Sequence, residues 1–102
     1  MGAIEVVYLG HDNTIDLVLK KNGVPDNLST ITKVEITIGA TVINSVANPL
    51  AFDLSKIAIG TLVLKLGDQP IPSGNYSRCE IVVFDATRPG GLVWGAIGII
   101  VK

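Results

Sequence analysis

The sequence predicts an all-β domain, a sandwich of about seven or eight antiparallel strands. Three observations carry this. Short segments alternate apolar and polar residues with period two, separated by turn residues at a spacing of roughly ten. The apolar residues are mostly Ile, Val and Leu, and β-branched side chains suit a pleated surface better than a helix. No window of helical period is long enough for an amphipathic helix. Each sheet needs its apolar face covered, and two sheets stacked about 10 Å apart satisfy both.

Taken in order, Ile4–Leu9 reads as the first strand, and Gly10-His11-Asp12-Asn13 as a turn. Thr14–Lys20 follows, with Ile15, Leu17 and Leu19 on one face. Asn22-Gly23 is a hairpin dipeptide, and Val24-Pro25-Asp26-Asn27-Leu28 reads as an irregular connection because Pro25 cannot donate to a central ladder. Lys33–Ile38 alternates most cleanly, with Val34, Ile36 and Ile38 on the apolar side; beyond Gly39, Ala40–Ile43 either pairs back or continues past a bulge. Ser45–Asp53 reads as loop with an extended piece at its end, Leu54–Ile59 as one short helical turn, and Thr61–Leu66 as a strand with Leu62, Leu64 and Leu66 inward. Ser77–Asp85 buries Cys79, Ile81 and Val83. Val93–Val101 closes the domain, with Gly95 and Gly98 marking bulges or close approach.

The chain of 102 residues fits one domain, residues 1–102, able to bury a core without disulfides or metal. A net charge of −1 gives no electrostatic case for nucleic acid or anionic lipid. With 48% hydrophobic and 17% charged residues, the composition favours self-association, so some surface is expected to be covered and a homo-oligomer is expected. The single cysteine, Cys79, reads as a small buried hydrophobe. No run approaches the ~20 apolar residues of a membrane helix, and Met1-Gly2-Ala3-Ile4-Glu5 does not read as a signal peptide, so synthesis in the cytoplasm is expected.

Catalysis requires convergent polar groups, and the chain offers few. His11 beside Asp12 could act as a base, but the Gly-His-Asp-Asn context favours a turn histidine. One histidine and one cysteine do not assemble a zinc site, and Asp12, Asp16, Asp26, Asp53, Asp68 and Asp85 lack the dense spacing of a calcium loop. No catalytic residue, metal ligand or cofactor is therefore expected. Asn27-Leu28-Ser29 fits a glycosylation acceptor but has no secretion signal to give it meaning.

Tyr76, after Gly74 at the entry to a strand, fits a corner in which the hydroxyl ties back to backbone. Cys79 lies three residues on rather than two, so this placement needs a bulge or a different corner. Trp94 is either core, at an inter-sheet edge, or an exposed interface anchor. Arg88-Pro89-Gly90-Gly91 reads as an exposed hairpin tip, a place where sandwiches carry recognition.

Several of these segments together resemble the immunoglobulin-like proteins of tailed bacteriophages, including the amino-terminal domain of baseplate upper proteins and related tail or capsid accessory modules. The matching pieces are Asp16–Leu28, the strand Lys33–Ile38, the strand Thr61–Leu66, the corner Pro72-Ser73-Gly74-Asn75-Tyr76, and the strand into Asp85 with its Gly-rich hairpin to Gly91. The resemblance covers roughly residues 14–102, and it departs from those proteins in that no coiled coil or receptor-binding region is expected after the domain. It implies an immunoglobulin-like β-sandwich and a non-enzymatic structural component of a virion, in baseplate, tail or head decoration, binding other virion proteins. Contacts are expected at Ile4–Leu9, Ile97–Val101 and Arg88–Gly91, with Trp94, Arg88, Pro89, Tyr8 and Ile99 as candidate residues. The alternative is a carbohydrate- or host-surface-binding module, disfavoured by having only five aromatics to stack on sugars.

Overall fold

The computed structural model describes residues 4–21, 23–25 and 30–102, with backbone alone at Lys21, Val24 and Pro25. The strands among them are β1 (Ile4–Val7), β2 (Ile15–Val18), β3 (Lys20–Lys21), β4 (Val24–Pro25), β5 (Ile31–Ile38), β6 (Thr41–Asn44), β7 (Phe52–Asp53), β8 (Thr61–Leu64), β9 (Gly74–Asp85) and β10 (Arg88–Val101). Five form one sheet in the order β1-β10-β9-β5-β6, three form a second in the order β2-β8-β7, and β3 and β4 make a small ribbon. The protein is thus all-β, with the apolar faces of two sheets meeting in one core.

That core follows from the alternation. Val34, Ile36 and Ile38 of β5, Leu62 and Leu64 of β8, and Cys79, Ile81 and Val83 of β9 are all buried in one cluster, while the residues between them face outward. Leu66 and Ile71 extend the cluster beyond β8, and Ile57 seals it from the one-turn 3-10 helix Ile57–Ile59. That helix lies within the helical turn expected over Leu54–Ile59; a second, Pro49–Ala51, falls in what reads as loop. Packing across the core selects it, since Ala51 is fully buried.

Hairpins set most of the pairing. Gly39, at φ +61°, and Ala40 turn β5 back into β6, with Ile38 opposite Thr41. A non-glycine residue at Gly39 would be strained by that dihedral, and a Cβ there would lie 2.6 Å from Cε1 of Tyr76. Val24–Pro25 pairs with Lys20–Lys21 rather than running as an irregular connection, which is compatible with proline because the ribbon has only two strands. Asn22 and residues 26–29, which include the acceptor pattern Asn27-Leu28-Ser29, lie outside the described residues, as do residues 1–3.

One pairing corrects the expectation of a wholly antiparallel sandwich: β1 runs parallel to β10, with Ile4 opposite Gly98 and Val7 opposite Val101. No hairpin joins these two strands, so nothing local fixes their direction. Lys102 N–H donates to the Val7 carbonyl (2.9 Å) and Leu9 N–H to the Lys102 carbonyl (3.1 Å), extending the contact past both strand ends. The chain then turns through Gly10, whose N–H reaches the Gly67 carbonyl (2.8 Å), and crosses to β2 in the other sheet.

Candidate interaction surface

The corner at Tyr76 organises one end of the five-stranded sheet. Its hydroxyl donates to the Pro72 carbonyl at 2.6 Å, a short O–H···O bond that ties the incoming loop to the start of β9. Opposite β10, Ile97 pairs with Cys79 and Ile99 with Tyr76, so two steps on β10 match three on β9. Ser77 and Arg78 absorb the difference and are both exposed. This bulge resolves the parity: it returns Cys79 to the inner face, where its thiol lies 3.9 Å from the Tyr76 carbonyl. Burial pushes the Cys79 pKa up, so the thiol stays protonated at neutral pH.

The same register overturns two expectations about contacts. Ile99 is 0% exposed and belongs to the core, so it offers no side chain to a partner. The segment Ile97–Val101 is not an edge either, because β10 has β9 on one side and β1 on the other from Gly98 onward. The edge is β1.

At the other end of the hairpin the turn is Ala86-Thr87, not Arg88–Gly91. The Asp85 carboxylate builds it. Its Oδ1 accepts from the N–H of Thr87 (3.0 Å), the N–H of Arg88 (2.8 Å) and the Thr87 hydroxyl (2.8 Å). These bonds, led by the Thr87 hydroxyl, hold the Asp85 pKa below the usual carboxylate range. Arg88 pairs with Asp85 in the ladder and bonds its Oδ2 at 3.2 Å, its side chain still half exposed. Between Arg88 and Leu92 the register shifts, so Pro89, Gly90 and Gly91 form an irregular stretch of β10. Pro89 is exposed. Gly91, at φ +83°, lets the backbone pass against Val82 and Phe84, and the Lys33 ammonium sits 4.3 Å from the Phe84 ring centre.

Trp94 is the extra residue of a second bulge, between Val93, opposite Val82, and Gly95, opposite Ile81. Half buried, it packs against the core. It also lines a cleft of about 480 Å³ with Gly95, Ala96 and Ile97 of β10, Ile81 of β9, Glu5 of β1, and Asp16–Val18, Leu19 and Lys20. Tyr8 is 41% exposed in the turn after β1, away from these lining residues. The structure therefore brings together Trp94 and the β1 edge, and leaves Arg88, Pro89 and Tyr8 elsewhere. Leu17, read in the sequence as an apolar-face residue, and Gly95, read as a mark of a bulge or close approach, complete the cleft; neither was read as part of a contact site. Exposed Val18, Val42, Val93, Val46, Leu50 and Ile59 also add apolar surface that alternation alone did not flag.

His11 is exposed in its turn, its N–H bonded to the Tyr8 carbonyl at 3.1 Å. Asp12 pairs with Lys65 at 3.1 Å, and Asp53 Oδ1 accepts from the Ser55 N–H at 2.9 Å, so these acids serve turns and surface pairing. Among the described residues no group of three or more His, Cys, Asp or Glu side chains is placed to hold a metal ion. Among the described residues no helix is long and apolar enough to cross a membrane. Neither a protein-family model nor a curated protein sequence matches the chain.

Proposed function

We propose that this chain is a non-enzymatic structural protein of a tailed-bacteriophage virion, a baseplate, tail or head-decoration component with an immunoglobulin-like fold, acting through protein–protein contacts. The strand order supports the fold. A five-stranded sheet with the first described strand beside the last, facing a three-stranded sheet, is compatible with an immunoglobulin-like sandwich, and a Tyr76–Pro72 corner at the start of the penultimate strand agrees with that reading. The virion assignment rests on the sequence resemblance over residues 14–102.

The contact role rests on one observation above the others: the cleft lined by Trp94 lies beside sheet edges, where apolar side chains occur together with backbone groups that have no strand partner among the described residues. The described residues carry a covered core and acids that serve turns and surface pairs.

Two measurements test the proposal. Mass spectrometry of purified virions of the phage that encodes the chain should find it at fixed stoichiometry; its absence overturns the virion assignment. Sedimentation velocity over a concentration range should give a closed oligomer or a monomer that shifts on adding a virion partner. A monomer indifferent to every virion protein overturns the contact role.

A further inference from the structure

The cleft beside Trp94 has a backbone chemistry that its volume does not convey. Leu19 N–H donates to the Gly60 carbonyl at 2.7 Å, continuing the β2–β8 ladder in which Ile15 faces Leu64 and Leu17 faces Leu62. In an antiparallel ladder alternate residues turn their backbone groups toward the partner. Ile15, Leu17 and Leu19 therefore spend theirs on β8 and its extension, and Asp16 and Val18 direct theirs away from it. On that side β2 has no neighbour among the described residues, because it ends its sheet. Across the cleft, β1 meets β10 only from Gly98 onward, so the Trp94–Ile97 segment of β10 has no strand on that side among the described residues.

Two of the other edges, β6 and β7, are less open. At β6, Asn44 N–H is held by the Asn48 side chain (3.4 Å) and the Asn44 carbonyl accepts from Asn48 N–H (2.8 Å), which caps the strand. β7 is two residues long. The β2 edge thus combines donors and acceptors that have no strand partner among the described residues with an apolar floor from Leu17, Ile81, Trp94 and Ile97. Gly95 adds room, since a Cβ there would meet nothing within 4 Å.

We infer that this cleft takes an extended segment of a partner protein, which adds a fourth strand to the three-stranded sheet by pairing with β2. This deepens the contact role proposed above and rests on it. Asp16–Lys20 spans roughly 13–17 Å at the rise of a strand, so four or five residues dock. Side chains on one face of the segment cover Leu17 and Trp94. The charged residues lining the cleft are Glu5, Asp16 and Lys20, two acidic and one basic, a balance that favours a segment with Lys or Arg at alternate positions.

Trp94 is the sole tryptophan, so its fluorescence reads the cleft directly. The probe is a blocked heptapeptide alternating valine and lysine, with an alternating valine and glutamate peptide as control. The lysine peptide is expected to shift Trp94 emission and to slow amide exchange at Asp16 and Val18 by roughly tenfold or more. The glutamate peptide should do neither. Val18→Pro removes one edge donor where proline is tolerated, and Gly95→Leu fills the cleft; each should weaken the peptide response by roughly tenfold while thermal unfolding remains cooperative. Equal response to both peptides, or none, overturns the inference. So does protection of Asp16 and Val18 in the free protein, which would mean that the edge is already paired, by a second copy if protection rises with concentration. Virions separate this from the parent proposal: Gly95→Leu chain incorporated at the wild-type level overturns the cleft's role and leaves the virion assignment standing.

Discussion

Removing one oxygen at Tyr76 tests how the corner holds the fold. In Tyr76→Phe the ring stays over Gly39 and Gly74, while the 2.6 Å bond to the Pro72 carbonyl is lost. A hydrogen bond of this kind contributes about 0.5–1.5 kcal/mol net. The bond is solvent-exposed, so water replaces part of it and the expected loss is about 1 kcal/mol. For a domain of this size that lowers Tm by roughly 4–8 °C. The companion variant Gly39→Ala places a methyl against the same ring and forces alanine to φ +61°, costing about 1–2 kcal/mol for the dihedral alone. Urea unfolding of Gly39→Ala, of Tyr76→Ala and of the two combined gives a double-mutant cycle. The ring contact should make the pair less destabilised than the sum, because removing the ring relieves the crowding. The reasoning is refuted if Tyr76→Phe lies within about 0.3 kcal/mol of wild type, a span at the resolution of additivity itself.

Other expectations follow from the core and the turns. Leu64→Ala, in a fully buried site, should cost about 2–5 kcal/mol, read by denaturant midpoint at unchanged slope. The Asp85 and Asp53 pKa values are lowered in the folded state by hydrogen bonds, led by the Thr87 hydroxyl and by the Ser55 side chain. Their stabilisation should be present above the unfolded carboxylate value near ~3.9 and fade as pH falls through the folded values; Asp85→Asn should flatten that acid limb in thermal melts. Cys79 has the opposite sign, since its raised pKa keeps the proton on the folded form. Stability should decline as pH rises above about 8.5, and thiol labelling at neutral pH should be slow until unfolding exposes the residue. Cys79→Ala should remove the alkaline decline.

The sequence alone determined which side chains are inside. Period-two alternation in Lys33–Ile38, Thr61–Leu66 and Ser77–Asp85 assigned the buried set correctly, because successive strand residues point to opposite faces whatever the sheet order. The Gly74-x-Tyr76 corner was legible for a similar reason, since its partner carbonyl lies only four residues away. Tertiary structure alone decided the rest. The parallel pairing of β1 with β10 joins residues from opposite ends of the chain with no turn to dictate direction. The bulges at Ser77-Arg78 and at Trp94 shift the face of every residue beyond them, and only the neighbouring strand shows where such a shift occurs. Ile99 reads as an available edge residue, but β1 flanks β10 from Gly98 onward and the Ile99 side chain lies in the core, while Trp94, the extra residue of its bulge, lies half buried beside a cleft. The cleft arises between an edge of one sheet and the first strand of the other, and no local pattern encodes that meeting.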